Sequence, residues 1–520
     1  MPEQAMHVAL GVVVGGASLL AVAGHRFHRS DTLPSLEGWA LAGRTLGPGW
    51  TWLLLGGTVF TAYTFTAVPG LVYGSGAAGF FALPYTVIVC PLAFVLLPRL
   101  WTLARSHGYV TVADLVRGRY GSPPLALAVA VTGILATLPY LALQLLGIRA
   151  VLTVAGLYPH GTVGDLAMIT LFAVPAAATH CHGLRAPTLV SALKALVVFG
   201  SAGTAIALAL GRLGGPGALF AAASRQLSGT GAPGASLTLA PHQQGAFVTL
   251  ALGSALALLM YPHVLTAGFA ASGPDTLRRA AIGLPAWTGV LGLFGLLGIA
   301  ALAAGIRTPP GRAEAAVPLL VDVLMPAAPA GLVLGALTVG ALVPAAVMSI
   351  ATASLFVRNV YVEYLRPTAT PKRQLRIARR VSLVATAGAV AFVLGLRNQD
   401  AVNLQLLGGV WILQICPAVI GGLFTRRLHQ RALLAGWATG MAAGTVTVAT
   451  RGFSSVMPFP LGGHDLEVST GLVALSLNLA VAVVLTTVLD RLGTPRGADT
   501  TAPPPRLALR RRPERGTSST

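Results

Sequence analysis

Apolar residues run in thirteen stretches of roughly twenty residues, from Met6 to about Leu489, with short polar segments between them. A helix needs roughly 20 such residues to cross a hydrocarbon core of about 30 Å. The pattern therefore predicts an all-α polytopic membrane protein, with spans at 6–24, 50–74, 77–98, 125–156, 163–182, 188–211, 244–270, 282–305, 327–360, 377–396, 402–424, 431–450 and 468–489. The stretches at 125–156 and 327–360 exceed one straight crossing, so they are expected to tilt or to extend beyond the bilayer. Two spans are interrupted. In the second, Gly56-Gly57-Thr58 precedes Thr61, Tyr63, Thr64 and Pro69-Gly70; in the seventh, Gly253-Ser254 precedes Tyr261-Pro262-His263. Breaks at corresponding positions of two halves point to discontinuous helices around a midplane site, although glycine also serves plain close packing. Spans 2 and 7 are five apart, which suits two five-helix repeats, 50–211 and 244–424. Around them lie a first helix with its loop (1–49), a Gly/Ser/Pro-rich outer loop (212–243), a second such loop at 451–467, two C-terminal helices (425–490) and a basic tail (491–520). The tail is rich in Pro and Arg and is expected to be disordered; its charge suits either an anionic leaflet or plain solvation.

Charge gives this pattern an orientation. Only 10% of residues are charged, mean hydropathy is +0.75, and no hydrophilic stretch is long enough for a soluble catalytic domain. The net charge of +20 raises the question of nucleic acid, but the cations form no single patch. Of the 35 lysines and arginines, 27 fall in alternate loops and the tail, and only six in the opposite loops. The positive-inside rule puts the N-terminus outside and the C-terminus in the cytoplasm, which needs an odd number of spans. A multi-pass plasma-membrane protein is expected, and the Ala, Gly, Leu and Arg usage suits a GC-rich bacterium. The first span lacks a basic segment before it and a clear cleavage site, so it reads as a retained helix. Cys90, Cys181 and Cys416 have no paired spacing, so neither a disulfide nor a metal site is expected.

At particular residues the chain resembles the sodium:solute symporter family, with its LeuT-type inverted-repeat fold. The segments are Trp39-Ala40-Leu41-Ala42-Gly43-Arg44, Pro69-Gly70 with Tyr73-Gly74, and Gly108-Tyr109-Val110-Thr111-Val112-Ala113-Asp114. To these add Gly183-Leu184-Arg185-Ala186-Pro187, Met260-Tyr261-Pro262-His263, Met348-Ser349-Ile350 and Arg358-Asn359-Val360-Tyr361. They resemble its branch of bacterial monocarboxylate permeases, which implies import of acetate, propionate, lactate or pyruvate, in some cases alanine. The resemblance also implies a Na⁺ site between spans 2 and 9, with carbonyl ligands at Gly57, Phe60 and Gly340 and two hydroxyls at the positions of Val343 and Pro344. A nearby acidic residue falls on Ser191. The chain departs from that pattern: Val343 and Pro344 carry no hydroxyl and Ser191 no carboxylate, while hard cations want about five or six oxygens.

Lys194 stands one turn beyond Ser191, about seven residues inside the membrane. An intramembrane ionisable residue is a functional candidate by default. Its ammonium can sit among the three carbonyls and couple transport to protons; the alternatives are a snorkelling structural lysine or a Na⁺ site that uses Ser349, Thr352 or Ser354 after a register shift. No Asp or Glu lies inside a span, Asp165 and Asp322 being at span ends, so no carboxylate proton relay is expected. His180 and His182 read as interface residues. His263 is either a second proton candidate or a packed, hydrogen-bonded histidine.

For a small anion, half-helix N-termini at Gly56-Gly57 and Gly253-Ser254 would supply N–H donors. Thr58, Thr61 and Thr64 share one face at i,i+3 spacing; Tyr140 and Gln144 share another at i,i+4; Ser254 and Tyr261 flank the second break. The resemblance gives Tyr63 an aromatic contact with substrate. Each of these side chains serves either a substrate or a neighbouring helix. Arg149 either attracts anions at the entrance or snorkels. No cofactor is expected beyond a coupling H⁺ or Na⁺, and the partners expected are a small carboxylate and the bilayer. A Na⁺-coupled symporter of an amino acid or pantothenate, or a solute sensor without transport, are the competing readings. A membrane enzyme would want paired histidines or clustered carboxylates within spans, and these are absent.

Overall fold

A computed structural model describes residues 2–24, 35–158, 162–229, 235–395, 398–461 and 464–501. Arg26, Arg29, Arg397 and the tail beyond Thr501 lie outside the described residues. Among the described residues, twelve helices are long and apolar enough to cross a membrane, or thirteen if one bent pair is counted as a span. Spans 1 to 6 are Pro2–Val22, Pro48–Val59 with Tyr63–Ser75, Ala82–Ser106, Pro123–Val154, Thr162–His182 and Arg185–Arg212. Spans 7 to 13 are Pro241–Met260 with Pro262–Phe269, Pro274–Ala303, Ala327–Phe356, Pro371–Gly395, Asn398–Leu413 with Cys416–Phe424, Gln430–Thr450 and Thr470–Arg491. Many open on proline, whose missing N–H costs nothing at a helix's first turn. Span 9 is the central pillar: 94% of its most apolar window is buried, and its far end winds on as a π-helix, Val357–Leu365. Spans 1, 4, 6 and 10 pack around it, while spans 12 and 13 pair with each other outside the repeats.

Both breaks fall downstream of the glycines expected to make them. Gly56 and Gly57 are helical, and the chain turns at Phe60, which is extended at φ −92°, ψ 102°. The two halves of span 2 meet at 56°. Gly253 also lies within a helix, and the seventh span breaks at Tyr261 (ψ 131°). Pro262 explains this second position, because a proline disfavours the α conformation of the residue before it. The glycines serve packing instead. A Cβ on Gly56 would meet the Trp287 indole at 2.0 Å, and one on Gly253 would meet Leu472 at 3.2 Å.

The loops and tail hold more structure than expected. The segment 212–243 contains a helix, Gly215–Gly229, which buries Leu219, Ala223 and Leu227, a spacing of four that composition alone concealed. The segment 451–467 forms most of an antiparallel hairpin, Val456–Leu461 with His464–Ser469. The tail is not disordered as far as Thr501. Thr500 donates from its backbone to Gly118 O (2.9 Å), Arg119 donates to Asp499 (2.8 Å) and Thr501 (3.2 Å), and Arg496 Nη1 donates to Arg426 O (2.8 Å). These specific partners offset the ordering entropy that the composition alone would not. Burial pushes the Asp499 carboxyl up, but the Thr501 hydrogen bonds and the Arg119 and Arg426 cations outweigh it and hold its pKa below the ordinary value.

Candidate functional site

At the arginine-rich end, three of the sequence segments singled out above meet, Trp39–Arg44, Gly108–Asp114 and Arg358–Tyr361. Arg44 is buried; its guanidinium donates to Glu37 (2.6 Å), to Tyr109 O (2.5 Å) and to Phe269 O at the end of span 7. Leu46 and Ala271 form a parallel bridge, and Trp101 Nε1 donates to Ala271 O. Thr111 and Asp114 make a capping box for the short helix Val112–Tyr120. Asp114 also accepts from Asn359 Nδ2 (2.9 Å) and Arg358 Nε (3.2 Å) at the foot of span 9. Thr111-x-x-Asp114 carried the capping signal in the sequence; its tie to span 9 did not show. These bonds close the arginine-rich end.

Inside the bundle, the break in span 2 strips carbonyls of their helical partners. In an unbroken helix Gly57 O would accept from Thr61 N and Phe60 O from Thr64 N. Instead Thr61 N donates to Thr64 Oγ1 and Thr64 N to Thr61 O. Across from them, Pro344 lies inside span 9 and has no N–H to give Gly340 O, four residues back. Three orphan carbonyls thus face one point, and Lys194 Nζ occupies it, donating to Gly57 O (2.7 Å), Phe60 O (2.5 Å) and Gly340 O (2.7 Å). Lys194 is fully buried, and its ammonium also lies 5.3 Å from the centre of the Phe65 ring. Its reach into the bundle excludes snorkelling in this conformation. Ser191 Oγ donates to Pro187 O and packs beside Gly57, and Val343 is an apolar neighbour of the same glycine. The register-shift alternative does not assemble. Ser349 lies nine residues from Gly340, about 14 Å along the helix, and both Ser349 and Ser354 donate to carbonyls of their own helix, while Thr352 Oγ1 is buried without a partner.

The residues expected to bind substrate separate into two groups. Thr61, Thr64 and Gln144 cap the second half of span 2. Thr61 Oγ1 accepts from Tyr63 N, Thr64 Oγ1 from Thr61 N, and Gln144 Oε1 from Ala62 N, while Gln144 Nε2 donates to Tyr140 O. The N–H groups expected to serve an anion at this break are therefore already taken. Gly56 packs on Trp287, and Thr58 Oγ1 is buried with no hydrogen-bond partner among the described residues. Tyr63, Tyr140, Ser254 and Tyr261 instead line a cavity of about 140 Å³ beside the second break. It is bounded on the arginine-poor side by Ser455 and Ser469 of the hairpin. Tyr140 Oη is held by Thr61 Oγ1 at 3.1 Å; Tyr261 Oη and the Gln405 amide are shielded from solvent and face each other, with no other partner among the described residues. Gln405 and Tyr85 line the cavity but were missed. Gln405, one of three amides in the stretch 402–424 with Asn403 and Gln414, was the available signal. Among the described residues, no charged side chain lines the cavity. His263 lies beside it with its ring 5.5 Å from Tyr140 and 5.3 Å from Tyr261, and neither ring nitrogen finds a partner among the described residues, so it is packed but not hydrogen-bonded as expected. Among the described residues no cluster of three metal-ligating side chains occurs, and the three cysteines are free.

Comparison with known proteins gives a concordant result. Residues 39–440 match the model of the sodium:solute symporter family. A monocarboxylate transport permease protein of Rhizobium johnstonii is 44% identical over 92% of this chain and 97% of its own length. The uncharacterized symporter YodF of Bacillus subtilis is 30% identical over 80% and 83%. In fold, the chain is similar to a Na⁺-coupled sialic acid symporter in its substrate-bound outward-open state (TM-score 0.73, 14% identity, 93% of this chain and 98% of that one). The inward-facing conformation of Mhp1 is a more distant likeness (TM-score 0.51, 14% identity, 89% and 94%).

Proposed function

This chain belongs to the sodium:solute symporter family, and on that premise we propose that it imports small monocarboxylates of the acetate, propionate, lactate or pyruvate type by alternating access, coupled to protons through Lys194. It is a transporter and not an enzyme. The observation that carries the coupling is the Nζ of Lys194 within hydrogen-bond distance of the carbonyls of Gly57, Phe60 and Gly340. An ammonium donates three hydrogen bonds, one to each carbonyl; a neutral amine points a lone pair at one of them and loses that bond. The junction of spans 2, 6 and 9 is therefore tight when Lys194 is protonated and loosened when it is not. A second cation at that point would meet a like charge at contact distance, which a low-dielectric interior penalises strongly.

Two observations support the substrate class. The cavity is small and ringed by hydroxyl and amide groups without an acidic side chain to repel an anion, and the relative sharing 44% identity is named for monocarboxylate transport. Tyr261 Oη, Ser254 and Gln405 are the groups we assign to the carboxylate. The sidedness follows from the arginine distribution: the arginine-rich end is cytoplasmic, the N-terminus outside, the membrane the bacterial plasma membrane. The test is uptake of radiolabelled acetate, pyruvate and alanine by proteoliposomes, with Na⁺ and pH gradients imposed separately. Uptake driven by acid outside alone supports the reading; uptake only with a Na⁺ gradient overturns the coupling, and uptake of none of the three overturns the substrate class.

A further inference from the structure

A cleft larger than the substrate cavity lies elsewhere in the molecule. It lies at the arginine-rich face, has a volume of about 930 Å³, and is formed by the ends of spans 3 and 11 and the start of span 8. Its walls carry Arg99, Arg119, Arg278, Arg426 and His107, and among the described residues no carboxylate lines it. Two carboxylates stand behind these cations: Asp499 accepts from Arg119 and lies 3.5 Å from Arg426, and Asp275 accepts from Arg278. Four guanidiniums against two carboxylates leave two positive charges uncompensated. Arg99 makes no ion pair among the described residues; its guanidinium stacks 4.7 Å over the Phe424 ring.

Depth distinguishes this cleft from a soluble-anion site. Arg99 lies seven residues before the end of span 3 at Ser106, about 10 Å along the helix. Pro98, Leu423 and Phe424 share its wall, and the Phe424 side of span 11 is exposed to the surroundings of the bundle (52%). A cationic pocket with an apolar wall at the end of membrane helices fits a ligand that brings a phosphate and an acyl chain together. Basic pockets between spans at the inner face are suited to anionic headgroups, and arginine's planar fork matches phosphate oxygens in pairs. We propose that this cleft binds the phosphodiester headgroup of an anionic phospholipid, with Arg99 and Arg278 as direct ligands and an acyl chain against Phe424. The tail residue Thr501 lines the same cleft, so an occupied cleft also braces the docked tail.

The experiment uses the full-length protein in detergent, titrated with phosphatidylglycerol, with phosphatidylcholine and with inorganic phosphate, and read by native mass spectrometry. Retention of phosphatidylglycerol well above phosphatidylcholine is expected. Arg99→Gln and Arg278→Gln should each weaken retention about fivefold, at the ~1 kcal/mol that one arginine contributes near an anionic surface. Arg373→Gln, an exposed arginine outside the cleft, should leave it unchanged. Equal retention of the two lipids, loss of selectivity with Arg373→Gln as large as with Arg99→Gln, or displacement of the lipid by inorganic phosphate at comparable concentration would overturn the proposal. The comparison of lipids on the unmodified protein decides the matter even if a variant fails to fold.

Discussion

The two helix breaks face the same region but are finished differently. At the span 2 break every backbone group described above has a partner: Thr61, Thr64 and Gln144 cap the N–H groups, and Lys194 takes the carbonyls. At the span 7 break, both ring nitrogens of His263 are buried without partners among the described residues, and the hydroxyl of Tyr261 has only the Gln405 amide facing it. A buried polar group left unpaired costs roughly 1–3 kcal/mol. The first break has its backbone groups capped by the protein's own side chains, although Thr58 Oγ1 beside it is also buried without a partner among the described residues. On the proposed reading, the first break is held by the Lys194 side chain, and the second offers its hydrogen bonds to a group from outside the protein.

The largest effect should come from Lys194→Ala. It strands three buried carbonyls, so a loss of roughly 3 kcal/mol or more in stability is expected, read as a lowered melting temperature, with acid-driven uptake abolished. Unchanged melting and uptake would show that the carbonyls do not depend on the ammonium. Pro344→Ala sharpens the same point. It restores an N–H to compete for Gly340 O, so uptake should fall about tenfold while stability holds or rises, since proline inside a helix costs about 3 kcal/mol. Uptake at the parent rate would remove Gly340 from the coupling site. Next, Tyr261→Phe and Thr61→Val test the contrast between the breaks directly. Tyr261→Phe should weaken apparent substrate affinity by about 10- to 150-fold, the roughly 1.5–3 kcal/mol of a hydrogen bond to a charged group, at no cost in stability. Thr61→Val should instead cost about 1 kcal/mol of stability through the lost cap. The reverse pattern would exchange the roles of the breaks. The smallest effect is on the tail. Because the folded pKa of Asp499 is depressed, its contribution to docking is present above the unfolded value near 4 and is lost as pH falls through the folded value. Proteolysis of the tail should therefore be slow at neutral pH and accelerate in strong acid; a rate unaffected by Asp499→Asn would disprove the contribution.

Much of the architecture could be read from the chain because lipid tolerates few exceptions. The crossings follow from apolar length, and Lys194 stood out as a charge deep in a span. What stayed hidden has specific causes. Pro344 could be read only as a missing hydroxyl, since its effect on Gly340 O matters only once Lys194 is known to reach that carbonyl. Thr61 and Gln144 offer the same atoms to a substrate or to a helix cap, and sequence spacing does not choose between them. Gly56 and Gly253 look like hinges, yet they serve Trp287 and Leu472 as packing sites while Phe60 and Tyr261 make the turns. The tail's composition concealed Asp499 and Thr501, whose value depends on Arg119 being 380 residues away in sequence from Asp499.

The central claim is that a lysine ammonium holds the place of a metal cation. It is tested most directly by titrating Na⁺, with choline as the replacement cation, while measuring substrate binding to the purified protein and to Lys194→Ala. The expected result is binding to the parent protein that does not change from zero Na⁺ upward. Binding that requires Na⁺ in the parent protein would contradict the claim.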